Sequence, residues 1–162
     1  MYYQWNVKIG WSTTDPMINS GGVTKWNGTY SNGETRYYNG DYSGGDTWEK
    51  ANDPCPHGWR MPTIAELKSL GDIHSEWTTI NGMNGRIYDS DDNILFLPAS
   101  GYRDIFNGRL SVQGYSGCYW SSTAQTLSMT INGYYMIFND SIGNGTSTNN
   151  LTFGSSVRCV AE

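Results

Sequence analysis

From residue 77 onward, short segments of strand composition recur about every 8–12 residues with turn residues between them, the spacing of antiparallel sheet. They cover 77–80, 86–88, 94–97, 101–106, 109–112, 118–122, 134–138 and 157–160. Upstream, 2–7 is also strand material. It leads into a stretch punctuated by Asn19-Ser-Gly-Gly, Asn27-Gly, Asn32-Gly, Asn39-Gly and Ser43-Gly-Gly. Gly and Asn tolerate positive φ, so each is a turn signal, and one long ordered loop or several short hairpins are expected there. Helical signals are few. Asp46-Thr-Trp-Glu-Lys-Ala allows a short helix that Pro54 stops. Residues 63–70 read more clearly as a helix, with Thr63 and Glu66 at capping-box spacing, Pro62 just before, and Ile64, Leu67 and Leu70 on one face ahead of Gly71. The expected class is α+β: mainly antiparallel strands, one or two short helices and long ordered loops.

A chain of 162 residues has room for one core of ordinary size, and 1–162 is expected to be a single domain. The apolar share of 37% is low, but seven Trp and twelve Tyr each bury about 150–250 Å² and compensate for scarce aliphatic residues, which argues against disorder. A formal charge of −5 removes the attraction to phosphate on which nonspecific nucleic-acid binding depends, so no nucleic-acid partner is expected. No run approaches ~18 apolar residues, so no membrane insertion is expected either. Met1 leads directly into Tyr-Tyr-Gln-Trp, which reads as a domain belonging to a larger chain or assembly. Cys55, Cys118 and Cys159 fit no zinc spacing and no Cys-x-x-Cys pair, leaving room for one disulfide and one odd thiol.

The most unusual stretch is the window 119–157. Its 39 residues include one charged side chain, Asp140, where the chain-wide 15% would give about six; Lys and Glu are absent. Ser, Thr, Asn and Gly fill 22 positions, with Tyr134, Tyr135, Met136, Ile137 and Phe138 among them. Such a composition suits a weakly ordered polar loop. It equally suits an adaptable binding surface, in which Tyr supplies contact area at low entropy cost and small polar residues supply hydrogen bonds. Trp120 reads as core, because its neighbours alternate in strand fashion.

Five separated motifs in order carry a resemblance: Asp53-Pro-Cys-Pro-His-Gly-Trp-Arg-Met-Pro-Thr63, then Glu66-Leu67, then Leu97-Pro-Ala-Ser-Gly-Tyr-Arg103, then Gly117 with Tyr119-Trp-Ser-Ser-Thr123, and last Ser156-Val-Arg-Cys-Val160. Together they resemble the Fibrobacter succinogenes major paralogous domain, over about residues 2–162. The resemblance implies a C-type lectin-like fold. It also implies, from the motif positions of Cys55 and Cys159, a disulfide tying the start of the helix to the last strand; two buried thiols are the other reading. Trp59, Met61, Ile64 and Leu67 would then lock the helix onto the sheet. Some members of that family resemble the variable proteins of diversity-generating retroelements in gut Bacteroides and their phages, whose Asn codons are randomised at adenines. An Asn codon altered only there never yields Lys, Glu, Gln, Met or Trp, and the absence of Lys and Glu from the window agrees with that rule.

The resemblance implies a non-catalytic recognition domain, extracellular on a phage virion or a bacterial cell surface, that binds a protein or glycan receptor. The expected ligand face is Thr126, Ser128, Thr130, Asn132, Tyr134, Tyr135, Ile137, Asn139, Ser141, Asn144, Thr146, Thr148, Asn149, Asn150 and Leu151, led by Tyr134, Tyr135 and Asn139. Alternation along a strand would turn at least one of the two Tyr inward. An invariant cell-envelope adhesin or structural module is the alternative. No cofactor and no metal are expected: Asp89-Ser-Asp-Asp-Asn93 lacks the Gly and Glu of an EF-hand loop and reads as a solvated turn. Nor is a catalytic residue expected. His57 sits in a Pro-rich turn and His74 just beyond a helix end, where a cation is favourable. The Gly-Trp-Arg-Met-Pro-Thr segment is also similar to formylglycine-generating enzymes, but their cysteine pair is missing.

Overall fold

A computed structural model describes residues 1–26, 28, 47–90, 93–127 and 130–162, apart from the side chains of 126, 127 and 130. In chain order the elements are β1 (Tyr2–Tyr3), β2 (Gly10–Trp11), β3 (Trp59–Arg60), α1 (Ile64–Ser69), β4 (His74–Ile80), β5 (Met83–Ser90), β6 (Asn93–Pro98), β7 (Tyr102–Arg103), β8 (Leu110–Ser111), β9 (Gly117–Leu127), β10 (Thr130–Phe138), β11 (Gly145–Asn150) and β12 (Val160–Ala161). Strand pairing is antiparallel throughout these elements. There are two three-stranded sheets, β4-β5-β6 and β11-β10-β9, and three two-stranded pairs, β1-β2, β12-β3 and β7-β8. The class is therefore α+β, with one short α-helix among the described residues. The turns at Asn32-Gly, Asn39-Gly and Ser43-Gly-Gly lie outside the described residues, as do Asn27, Asp91 and Asp92.

Local chemistry accounts for the elements. Thr63 caps α1 by accepting from the Glu66 amide, and the Glu66 carboxylate accepts from the Thr63 amide in return. Arg60 extends this cap with two hydrogen bonds to Glu66 at 2.6 and 2.8 Å. The helix then tightens into a 3₁₀ turn over Leu70–Asp72. The helix expected near 46 is a single 3₁₀ turn, Lys50–Asn52. Between β4 and β5, Asn81 and Gly82 both take positive φ (50° and 78°), the geometry of a two-residue hairpin that pairs Ile80 with Met83.

Aromatic side chains fill the interior as the composition implied. One cluster gathers Trp5, Trp48, Met61, Trp120, Tyr135, Leu151 and Phe153; a second gathers Leu67, Tyr88, Leu97, Tyr119, Met136 and Phe138. Trp120 is fully buried and meets Tyr135 and Phe153 edge-on. Cys55 and Cys159 are bonded, with their Cα atoms 5.8 Å apart. The bond lies beside the β3-β12 pair and ties the approach to α1 to the C-terminal segment. Trp59 departs from expectation. It is 48% exposed on β3, a two-residue strand paired with β12, whereas Met61 and Leu67 are buried.

Candidate functional site

The charge-poor window is not a loop. It forms the β9-β10-β11 sheet, and register decides the fate of each side chain. Asn132 pairs with Gln125 on one side and Asn150 on the other; Tyr134 pairs with Thr148, and Met136 with Thr146. Residues directly opposite each other point to one face, so Gln125, Asn132, Tyr134, Met136, Thr146, Thr148 and Asn150 share a face. The other face carries Ala124, Ile131, Gly133, Tyr135 and Trp120, which belong to or border the Trp5–Trp120 cluster.

One irregularity lies inside this sheet. Between the pairs Gly133–Ala124 and Tyr135–Trp120, β10 advances two residues while β9 advances four. The slip is even, so the faces are preserved. The extra β9 residues are anchored elsewhere: the Ser122 amide donates to Pro62 O (2.7 Å), Ser122 O accepts from the Trp48 amide (2.8 Å), and Thr123 Oγ1 accepts from the Ile64 amide (3.1 Å). The bulge thus ties the sheet to the start of α1. At Gly133 the backbone passes so near the indoles that a Cβ would lie 2.8 Å from Trp5 Cγ and 2.9 Å from Trp120 Cζ3. Only Gly fits there.

The expected ligand face is therefore divided. Tyr135, at 8% exposure, and Leu151 pack in the core and present nothing to a partner. Burial also pushes the Tyr135 phenol above its ordinary pKa. Ile137 packs against the same cluster from its margin. Asn139 closes the hairpin between β10 and β11, its Oδ1 accepting from the amides of Ser141 (2.9 Å) and Ile142 (2.7 Å). Asn144 Nδ2 donates to Leu67 O at 2.9 Å, and Asn149 and Asn150 accept from the backbone amides of Asn150 and Thr152. Ser141 and Thr146 are exposed, and Asn132, Tyr134 and Thr148 are half-buried on the open part of the face. Ser128 lies outside the described residues, as do the side chains of Thr126 and Thr130. What the structure brings together is a compact patch of Asn132, Tyr134 and Thr148, bordered by Gln125 and Asn150. Gln125 was missed at sequence level because only the register places it beside Asn132.

Carbonyls of the window that flank this patch accept hydrogen bonds from residues in other parts of the chain. Arg86 Nη2 donates to Asn139 O (2.9 Å) and Asp140 O (3.2 Å), and Tyr88 Oη donates to Gly143 O (2.9 Å). The Trp5 amide donates to Leu151 O (2.9 Å), Trp5 Nε1 to Ser121 O (2.9 Å), and Gln4 Nε2 to Thr152 O (3.2 Å). Ser121 Oγ donates to Tyr134 O at 2.9 Å. A carbonyl is the same acceptor whatever side chain its residue bears.

Cys118 is a buried thiol whose pKa burial pushes up to about 12, so it stays protonated at neutral pH. Among the described residues no group of three His, Cys, Asp or Glu side chains is placed to hold a metal ion. No helix among them is long and apolar enough to cross a membrane.

A family described as a domain of unknown function (DUF8237) matches residues 84–160, a little under half of the chain. The matched segment runs from β5 into β12 and so contains the whole β9-β10-β11 sheet. No curated protein and no solved structure matches the chain.

Proposed function

We propose that this chain is a non-catalytic, C-type lectin-like recognition domain whose β9-β10-β11 sheet displays a diversified surface to a protein or glycan receptor. In this reading it is a variable protein of a diversity-generating retroelement, carried on a phage tail or a bacterial surface. The observation that supports it best is the way the window is held. Trp5, Gln4, Arg86 and Tyr88, all outside the window, bond to its carbonyls, so changes at the outward side chains of 132, 134, 146 and 148 leave those anchors in place. Tyr134 supplies a half-exposed aromatic among small polar neighbours, the arrangement in which interface energy concentrates.

A second reading, an invariant cell-envelope adhesin or structural module, is favoured by the asparagines. Asn139 and Asn144, whose codons randomisation would alter, hold the turn and the helix through their own side chains. The genome separates the two readings. The variable-protein reading predicts a near-copy of the DNA for residues 119–157, differing from it only at the copy's adenines and lying near a reverse transcriptase gene. The codons for 132, 134, 146 and 148 should differ at those adenines, and those for 136 and 138 should not. A sequenced locus with no such copy, and no variation at these codons between isolates, would leave the adhesin reading standing.

A further inference from the structure

A concave site lies away from the window's outer face. It is a cleft of about 600 Å³ formed where β5, β6, the turn after β8 and the segment 156–158 meet Tyr2, and no residue of 126–150 lines it. That volume is within the usual range for small-molecule sites.

The walls are fixed before any ligand arrives. Tyr2 Oη donates to Ser100 O, Tyr119 Oη to Pro98 O at 2.8 Å, Ser156 Oγ to Ser100 Oγ at 2.9 Å, and Asn84 Nδ2 to Gly114 O at 3.0 Å. Those polar groups satisfy one another, so the floor makes little demand for a polar ligand body. Met83, Phe96, Leu97, Pro98 and Val157 give the cleft an apolar wall, and Met83 is both exposed and conformationally adaptable.

Charge decides the rest. In a chain of net charge −5, the one charged side chain among the residues lining the cleft is Arg158. Arg158 is exposed and makes no ion pair or hydrogen bond among the described residues. Its field reaches the Tyr119 phenol at the cleft floor, where it opposes the upward shift that burial imposes. A guanidinium that no carboxylate among the described residues pairs with, at the rim of an apolar cleft, suits an anion with two coplanar oxygens attached to an apolar body.

We propose that this cleft binds a small amphipathic carboxylate, with Arg158 pairing the carboxylate and the Met83–Phe96 wall covering an aromatic or aliphatic body. The site does not depend on the recognition role of the window. Titrating the protein with 4-phenylbutyrate and, separately, with its uncharged amide while following backbone amide shifts by NMR tests it. Saturable shifts confined to 82–84, 96–100 and 156–158 are expected for the carboxylate. Arg158→Gln should weaken that binding about tenfold or more with an unchanged melting temperature, and Arg158→Lys should restore part of it. Equal binding of the amide, shifts mapping to 132–148, or no saturation with 4-phenylbutyrate would overturn the assignment.

Discussion

Asn132 and Tyr134 share one face of β10 with Met136 and Phe138, yet the first pair reaches solvent and the second pair is fully buried. The strand is continuous and lies between β9 and β11. What differs is the cover: Leu67 of α1, with Tyr88 and Leu97 of the β4-β5-β6 sheet, closes over Met136 and Phe138 and stops short of Tyr134. The comparison teaches that composition does not divide this window into framework and display. Tertiary cover does: the capped helix and the β4-β5-β6 sheet together shield half of one sheet face.

The largest break in that comparison should come from Phe138→Ala. Phe138 is wholly buried and lies against Trp77, Tyr88 and Tyr119. Its truncation is expected to cost about 3–5 kcal/mol in urea unfolding; a loss under about 1 kcal/mol would mean that the helix-covered half is as tolerant as the open half. Next in size is Gly133→Ala, on the opposite face, where the added methyl must displace the Trp5 or Trp120 indole. About 1–3 kcal/mol is expected, and calorimetry should show a lower melting temperature without loss of cooperativity. An unchanged melting temperature would show that the indoles have room to move.

A smaller effect concerns the cover itself. Hydrogen bonding from Arg60, aided by the Thr63 cap, lowers the Glu66 pKa from 4.5 to about 2. A depressed folded-state value contributes stability that is present above the unfolded pKa and is lost as pH falls through the folded one. Stability should therefore decline between about pH 4.5 and 2 as Glu66 protonates and the α1 cap weakens, and Glu66→Gln should flatten that part of the curve. Glu66 is partly exposed and solvent screens it, so the step is modest. Identical acid profiles for the two proteins would remove the cap from the account.

Much of this was legible in the residues. The Thr63–Glu66 capping box, the short strands after residue 77 and the burial of Trp120 follow from spacing and alternation, which are local properties. β11 was not legible: Gly-Thr-Ser-Thr-Asn-Asn has no apolar alternation, and the strand exists because its backbone pairs with β10. The exposure of Trp59 and the burial of Leu151 were hidden for the same reason, since each depends on which distant strand lies alongside. The candidate patch shows the limit most clearly. Tyr134 and Tyr135 are adjacent and chemically identical, and only the register across β9 and β11 sends one outward and the other into the core.

The central claim is that the open half of the β10 face is free to change identity. The most direct measurement is the unfolding free energy of the combined variant Asn132→Ser, Tyr134→Ser, Thr148→Ser against the parent chain. The account predicts a total change within about 1–2 kcal/mol, from lost cross-strand pairing alone, with a cooperative transition retained. A loss matching that of Phe138→Ala would contradict it.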